Sequence, residues 1–245
     1  MEVARSGVIS PRLIVNDCAT RSSDFQKSPS NVVISACGTL KTVQGELAHF
    51  SSDANLVREP SWADLHKTAW HSAQEGKLKL STAIWLQALK LLEFAPYTDP
   101  RLEENLDCLV QTYQLLKNNS EAEHYCLRAL EVKRVAHDNW DVRVANCLNE
   151  LAGIYYSSGQ LQKVEGPCLE AEQIYRKLQG LESASIGTVS NNLAYLYHAQ
   201  KKPVQAQKRY LQAIRIKQQF LPEGHPDVTI LIANYARLLS TMGFD

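Results

Sequence analysis

The sequence predicts an all-α solenoid of antiparallel helix pairs, and three observations carry that prediction. Asn149-Glu150-Leu151-Ala152-Gly153-Ile154-Tyr155 is restated 42 residues on as Asn191-Asn192-Leu193-Ala194-Tyr195-Leu196-Tyr197, and 42 residues back as the worn copy Asp107-Cys108-Leu109-Val110-Gln111-Thr112-Tyr113. Within each copy the apolar columns fall at offsets 0, 3, 4 and 7, which is one face of an α-helix. A second set of columns, made of small side chains, follows at the same step. A helix pair of this size cannot bury its apolar face alone, so the repeats must stack on one another. About four helix pairs and a terminal helix are expected over residues 60–245.

The elements follow in order. Residues 1–59 are rich in Ser, Thr, Asn and Asp, with short apolar clusters at Leu13-Ile14-Val15 and Val32-Val33-Ile34. Neither cluster sustains a period, so the segment reads as flexible, with the clusters as docking points for the helical body. Thr42 to Phe50 suits a short helix. A degenerate first unit runs from Trp62 to Phe94 at an offset of 41, placing Leu65, Ala69, Trp85, Ala88 and Leu89 in the core columns.

The first-helix columns of the later units are Leu106, Leu148, Ser190 and Ile232; Leu109, Leu151, Leu193 and Tyr235; Val110, Ala152, Ala194 and Ala236; and Tyr113, Tyr155, Tyr197 and Leu239. Second helices contribute Ala122, Val164 and Ala206; Cys126, Cys168 and Tyr210; and Ala129, Ala171 and Ala213. Asp99-Pro100 reads as an N-cap with proline at the first helical position, and Ser120 with Glu123 as a capping box. Pro203 and Pro226 mark two further starts. Gly166-Pro167 sits about a turn inside its helix by the repeat register, which predicts a late start or a kink. The final unit stops after one helix, leaving the apolar face with Tyr235 and Leu239 without a following helix.

Composition narrows the function. The 26 basic and 26 acidic residues cancel, so no bulk charge favours nucleic acid or an anionic membrane. No apolar run reaches the roughly 18 residues of a membrane span, and the start lacks the pattern of a secretory signal. The cysteines at 18, 37, 108, 126, 147 and 168 form no CxxC pair and read as reduced, mostly buried small hydrophobes, which points to the cytoplasm. Neither a phosphate-binding loop nor a nucleophile elbow occurs, and His66 and His71 are five apart, so they do not share a helix face as two metal ligands would. No enzyme activity, cofactor or metal is expected. Lys201, Lys202, Lys208 and Arg209 read as a solvated edge.

Leu148-Asn149-Glu150-Leu151-Ala152-Gly153-Ile154-Tyr155, Ala122 to Val132, and His225-Pro226-Asp227-Val228 resemble the tetratricopeptide repeat, and in their 42-residue step they are similar to the repeats of kinesin light chains. The resemblance implies a right-handed superhelix whose first helices line a concave groove that takes peptides. It places in that groove Glu104, Asp107, Gln111 and Gln114; Asn146, Asn149, Tyr156 and Ser157; Thr188, Asn191, Tyr195 and His198; and Arg237, with His66 and Trp70 in the earliest unit. The family's groove asparagine corresponds to Asn149 and Asn191.

That face is polar, nearly uncharged and interleaved with aromatics. Amides both donate and accept, which suits an extended peptide backbone, while Tyr156 and Tyr195 offer flat area at low entropy cost. The expected function is a non-catalytic protein–protein interaction scaffold holding a peptide or partner protein through Asn146, Asn149, Tyr156, Asn191, Tyr195, His198 and Arg237. The alternative is a regulatory or adaptor module whose N-terminal arm is autoinhibitory or targeting. A monomer, or a weak homo-oligomer through the terminal helix, is expected.

Overall fold

The computed structural model describes residues 59–243. The expectations for the leader, for the helix from Thr42 to Phe50, and for Cys18 and Cys37 lie outside the described residues. Among the described residues the chain forms nine α-helices and one 3-10 turn, with no strand: α1 (Trp62–Gln74), α2 (Leu78–Lys90), α3 (Pro100–Leu115), α4 (Asn119–Ala136), α5 (Val142–Ser157), the turn (Leu161–Lys163), α6 (Glu165–Gln179), α7 (Ala184–Ala199), α8 (Pro203–Phe220) and α9 (Pro226–Thr241). Each helix packs chiefly on its neighbours in sequence, so four antiparallel pairs and a terminal helix stack into a solenoid.

The repeat columns account for the packing. Leu106, Leu148 and Ser190, then Leu109, Leu151 and Leu193, then Val110, Ala152 and Ala194 are all buried, as are the three tyrosines that follow them. The second-helix columns at 122, 164 and 206, at 126, 168 and 210, and at 129, 171 and 213 are fully or almost fully buried. Small residues at two of those columns let helices approach, and Trp85 and Tyr210 fill the space beside them. Gly187 belongs to the same logic. A β-carbon there would meet Ile216 and Lys217 side-chain atoms at 3.2 Å, so glycine permits the approach of α8 to α7.

Local chemistry sets the boundaries. The Asp99 carboxylate accepts from the Arg101 N–H, and proline opens α3, α8 and α9. The capping box expected at Ser120 is replaced. The α4 cap is Asn118, whose side chain accepts from the Glu121 N–H, because the left-handed Lys117 turns the chain two residues earlier. Gly166-Pro167 is resolved as a late start: after the 3-10 turn, α6 begins at Glu165. Pro167 therefore falls in the first turn, whose N–H groups have no partner within the helix in any case.

The terminal helix departs from its expected exposure. Tyr235 accepts a hydrogen bond from Gln207 at 2.9 Å and its ring lies 6.2 Å from that of Tyr210, so α8 holds it. The large apolar side chains that α9 leaves in solvent are Ile230 and Ile232. Among the described residues Cys108, Cys126, Cys147 and Cys168 are buried and form no disulfide. The Cys126 and Cys147 sulfurs lie 3.8 Å apart, and that hydrogen bond, then burial, pushes the Cys126 thiol well up. Burial pushes Cys168 up to about 12. Among the described residues, no helix is long and apolar enough to cross a membrane.

Candidate binding face of the first helices

The first helices α1, α3, α5, α7 and α9 present a row of side chains that meet from one helix to the next. Between α1 and α3, His66 Nε2 lies 3.5 Å from a Glu104 oxygen. Gln114 on α3 donates to Glu150 on α5 at 3.3 Å. Asn192 on α7 donates to Asn149 Oδ1 on α5 at 2.7 Å. Asn234 on α9 donates to the Tyr195 hydroxyl on α7.

Glu150, Asn192 and Asn234 stand at one repeat position, 42 residues apart, and each reaches back to the preceding first helix. Sequence reasoning gave them no role. The signal was present in the polar residue recurring at that offset, beside a column assigned to the groove. Its meaning lies in the neighbouring helix, which converts a boundary position into a register lock between repeats.

The candidate residues are distributed as follows. Asn146 accepts from the Tyr175 hydroxyl on α6 at 2.6 Å, so its oxygen is spent within its own helix pair. Asn149 has its oxygen taken by Asn192, and no acceptor among the described residues engages its amide N–H groups. Asn191 is the reverse: its Oδ1 is buried with no hydrogen-bond partner among the described residues. Tyr156 and Tyr195 have ring centroids 6.0 Å apart, and Tyr195 continues to Tyr210 at 5.9 Å. The structure therefore brings Asn149, Asn191, Tyr156 and Tyr195 onto the facing helices α5 and α7. His198 stands at the end of α7, where burial and then the Arg237 charge hold it below the usual histidine range. Arg237 itself is exposed.

Other expected groove residues have different employment. Asp107 is held by Lys133 Nζ at 2.6 and 2.8 Å, so α4 captures it. His66 packs between Trp62 and Trp85 with centroids at 4.7 and 4.8 Å, and burial lowers its pKa despite Glu104. Ser157 donates to Asn119 at the start of α4, and Thr188 to its own helix at Ala184. Trp70 remains exposed. Among the described residues no group of three or more His, Cys, Asp and Glu is arranged to hold a metal ion.

Residues 188–227, spanning most of α7 and α8 with the start of α9, match the family model of the tetratricopeptide repeat. No curated protein matches the sequence. Among solved structures, BtubC (BKLC) from P. vanneervenii is 20% identical with a TM-score of 0.63, over 85% of this chain and 86% of that one. A putative kinesin light chain from P. anserina with nearly identical TPR-like repeats is 19% identical with a TM-score of 0.61, over 74% of this chain and 86% of that one. A Rap protein complexed with Competence and Sporulation Factor is 15% identical with a TM-score of 0.58, over 83% of this chain and 55% of that one. At these identities the likeness is one of fold. The repeat columns, the family match and the shared solenoid agree: residues 188–227 match a tetratricopeptide repeat, and the helical array resembles in fold these repeat structures.

Proposed function

We propose that the chain is a non-catalytic interaction scaffold whose first-helix face binds an extended peptide or a segment of a partner protein. The observation that supports this best is the complementary pair of amides on α5 and α7. Asn149 keeps its N–H donors while its oxygen is engaged, and the Asn191 oxygen is buried without a donor. An extended peptide backbone offers a carbonyl and an N–H at once, so it satisfies both. A buried acceptor left unmatched costs about 1–3 kcal/mol, which a bound strand would recover. Tyr156 and Tyr195 supply the flat apolar area beside the two amides. With His198 held below its usual range by burial and by Arg237, its imidazole is uncharged near pH 7 beside the positive Arg237. The Rap protein of similar fold was solved in complex with a factor, which accords with a partner-holding role for such a solenoid.

The test is selection of peptides from a displayed random library on the full chain, followed by titration of a selected peptide. Asn149→Ala with Asn191→Ala should weaken binding about tenfold, the effect of two lost hydrogen bonds, without changing helical content. Undiminished affinity in that variant would refute the assignment of the face.

A further inference from the structure

On the second-helix side, where α6 and α8 meet the end of α7, the chain forms an open cleft of about 660 Å³. Its charged lining consists of Arg176, Lys208, Arg209 and Arg215 around one carboxylate, Glu172. None of these residues belongs to the first-helix face. In a chain whose charges cancel overall, this is a concentrated excess of positive charge.

The cleft is built rather than incidental. Glu172 is only 6% exposed, and it accepts from Arg176 at 2.6 Å and from Arg209 at 3.0 Å. Burial works against its charge, but the hydrogen bonds from Arg209 and Arg176 outweigh burial and hold the carboxyl below its ordinary range. One buried anion therefore fixes two guanidinium groups in place. Arg209 spends a single nitrogen, Nη1, on Glu172 and Gln212, which leaves its other N–H groups for a ligand. Lys208 lines the cleft and makes no side-chain hydrogen bond or ion pair among the described residues. Arg215 is drawn to Glu182 at 2.6 Å on the solvent side. Preset guanidinium forks bind carboxylates in pairs of parallel hydrogen bonds. The expectation of a solvated edge at Lys208 and Arg209 thus fails for Arg209, which the buried Glu172 organises.

The extent of the charge selects the ligand. Two other cations of the second-helix side are matched by carboxylates, Arg134 by Glu170 at 2.6 Å and Lys163 by Glu123 at 3.3 Å. A nucleic-acid backbone needs cations along an extended track, whereas Arg176, Lys208, Arg209 and Arg215 gather around one cleft. The leader does not match it either, since over residues 1–30 Glu2, Asp17 and Asp24 are interspersed with the more numerous Arg5, Arg12, Arg21 and Lys27. We propose that the cleft is a second docking site, separate from the first-helix face, which takes a short acidic segment of a partner protein. Aspartate or glutamate side chains enter between Lys208, Arg209 and Arg215, and the Gln212 amide contacts their backbone.

The experiment titrates a fluorescein-labelled oligoglutamate peptide into the full chain by fluorescence anisotropy, with oligoglutamine of equal length as the control. Oligoglutamate should bind with an affinity that falls with salt, and oligoglutamine should not bind. Lys208→Glu with Arg215→Glu should lower the affinity about tenfold, and Lys208→Gln with Arg215→Gln by less in the same direction. Both leave the Glu172 cluster untouched, and a circular dichroism melt verifies folding. Asn149→Ala with Asn191→Ala should leave oligoglutamate binding intact, which separates this site from the proposed groove. Equal binding by wild type and the charge variants overturns the proposal, as does loss of binding in the asparagine variant. Tighter binding of a single-stranded RNA oligonucleotide, abolished by the same charge reversals, overturns it in favour of a nucleic-acid ligand.

Discussion

The carboxylates of α3 are held by cations at the end of α4 and its Gln114 reaches Glu150 on α5, whereas from α5 to α9 the first helices are joined through neutral amides and phenols. In the earlier part, Lys133 lies between Asp107 at 2.6 Å and Glu103 at 3.6 Å, His137 meets Glu103 at 2.6 Å, and Gln114 reaches Glu150. Carboxylates outnumber their cations there. Burial, then the Asp107 charge, pushes Glu150 up to about 7, and burial raises Asp107 in spite of Lys133. In the later part, Asn149, Asn192, Tyr195 and Asn234 form the links, and the rings of Tyr156, Tyr195, Tyr210 and Tyr235 follow one another. The same repeat geometry thus gives the first-helix face a carboxylate-rich stretch at one end and a stretch of amides and phenols at the other. A partner strand lying along the whole face would meet an acidic end and an amide-aromatic end.

The largest expected effect comes from two residues at one repeat position, Lys133 and Tyr175, which are 42 apart. Lys133 is 4% exposed and paired with Asp107, while Tyr175 gives its hydroxyl to Asn146. Lys133→Met strands a carboxylate in a partly buried site and should cost about 3–5 kcal/mol in urea unfolding at neutral pH. Tyr175→Phe removes one neutral hydrogen bond and should cost about 1 kcal/mol. Equal losses would break the contrast between the halves.

A second pair tests the end of the array against its interior. Leu148 and Ile232 occupy the same column, but Leu148 is 2% exposed and Ile232 is 47% exposed. Leu148→Ala should destabilise by about 2–5 kcal/mol, and Ile232→Ala by less than about 0.5 kcal/mol. A large loss at Ile232 would mean that something covers α9 in solution.

Glu150 sharpens the contrast through pH. Its folded pKa lies above its ordinary value of 4.5, so between 4.5 and about 7 the folded state binds more protons than the unfolded state. Stability then falls as pH rises through that window, and the contribution is fully present only below it. Glu150→Gln should abolish a loss of ~1–3 kcal/mol across the window and leave the variant more stable than wild type at pH 7.5. The readout is unfolding free energy as a function of pH, compared between the two proteins. An unchanged slope in the variant would remove Glu150 as its source.

The helix pairs and their core were legible in the sequence because a fixed step and helical offsets name the same residues twice. Leu151, Ala152 and Tyr155 are buried for the reason that Leu193, Ala194 and Tyr197 are. The candidate face was legible only in part. Asn149, Asn191, Tyr156 and Tyr195 do share α5 and α7, but Asp107 belongs to Lys133, a pairing that depends on how the end of α4 lies across α3. Glu150, Asn192 and Asn234 were visible as a polar column without a meaning, because a helix wheel does not say which adjacent helix a boundary side chain will reach. The cap of α4 was misplaced for a similar reason. Ser120 and Glu123 fit a local pattern, while the left-handed Lys117 that moves the start is a property of the turn.

That turn gives a further, small effect, and it crosses the two halves. The position between the helices of each pair is left-handed in all four: Gly76 at φ 76°, Lys117 at 58°, Gly159 at 76° and Lys201 at 57°. Glycine adopts this conformation freely, whereas a side chain bearing a β-carbon is strained there by roughly 1–2 kcal/mol. Glycine also loses more chain entropy on folding, which offsets part of the gain. Lys117→Gly and Lys201→Gly should therefore each stabilise the chain by about 0.5–1 kcal/mol, read as a higher urea midpoint at unchanged slope. Because Lys117 lies in the charged half and Lys201 in the neutral one, the two gains should be alike and insensitive to pH. A gain confined to one of them would place the difference between the halves in the backbone of the repeats as well as in the side chains that link their first helices.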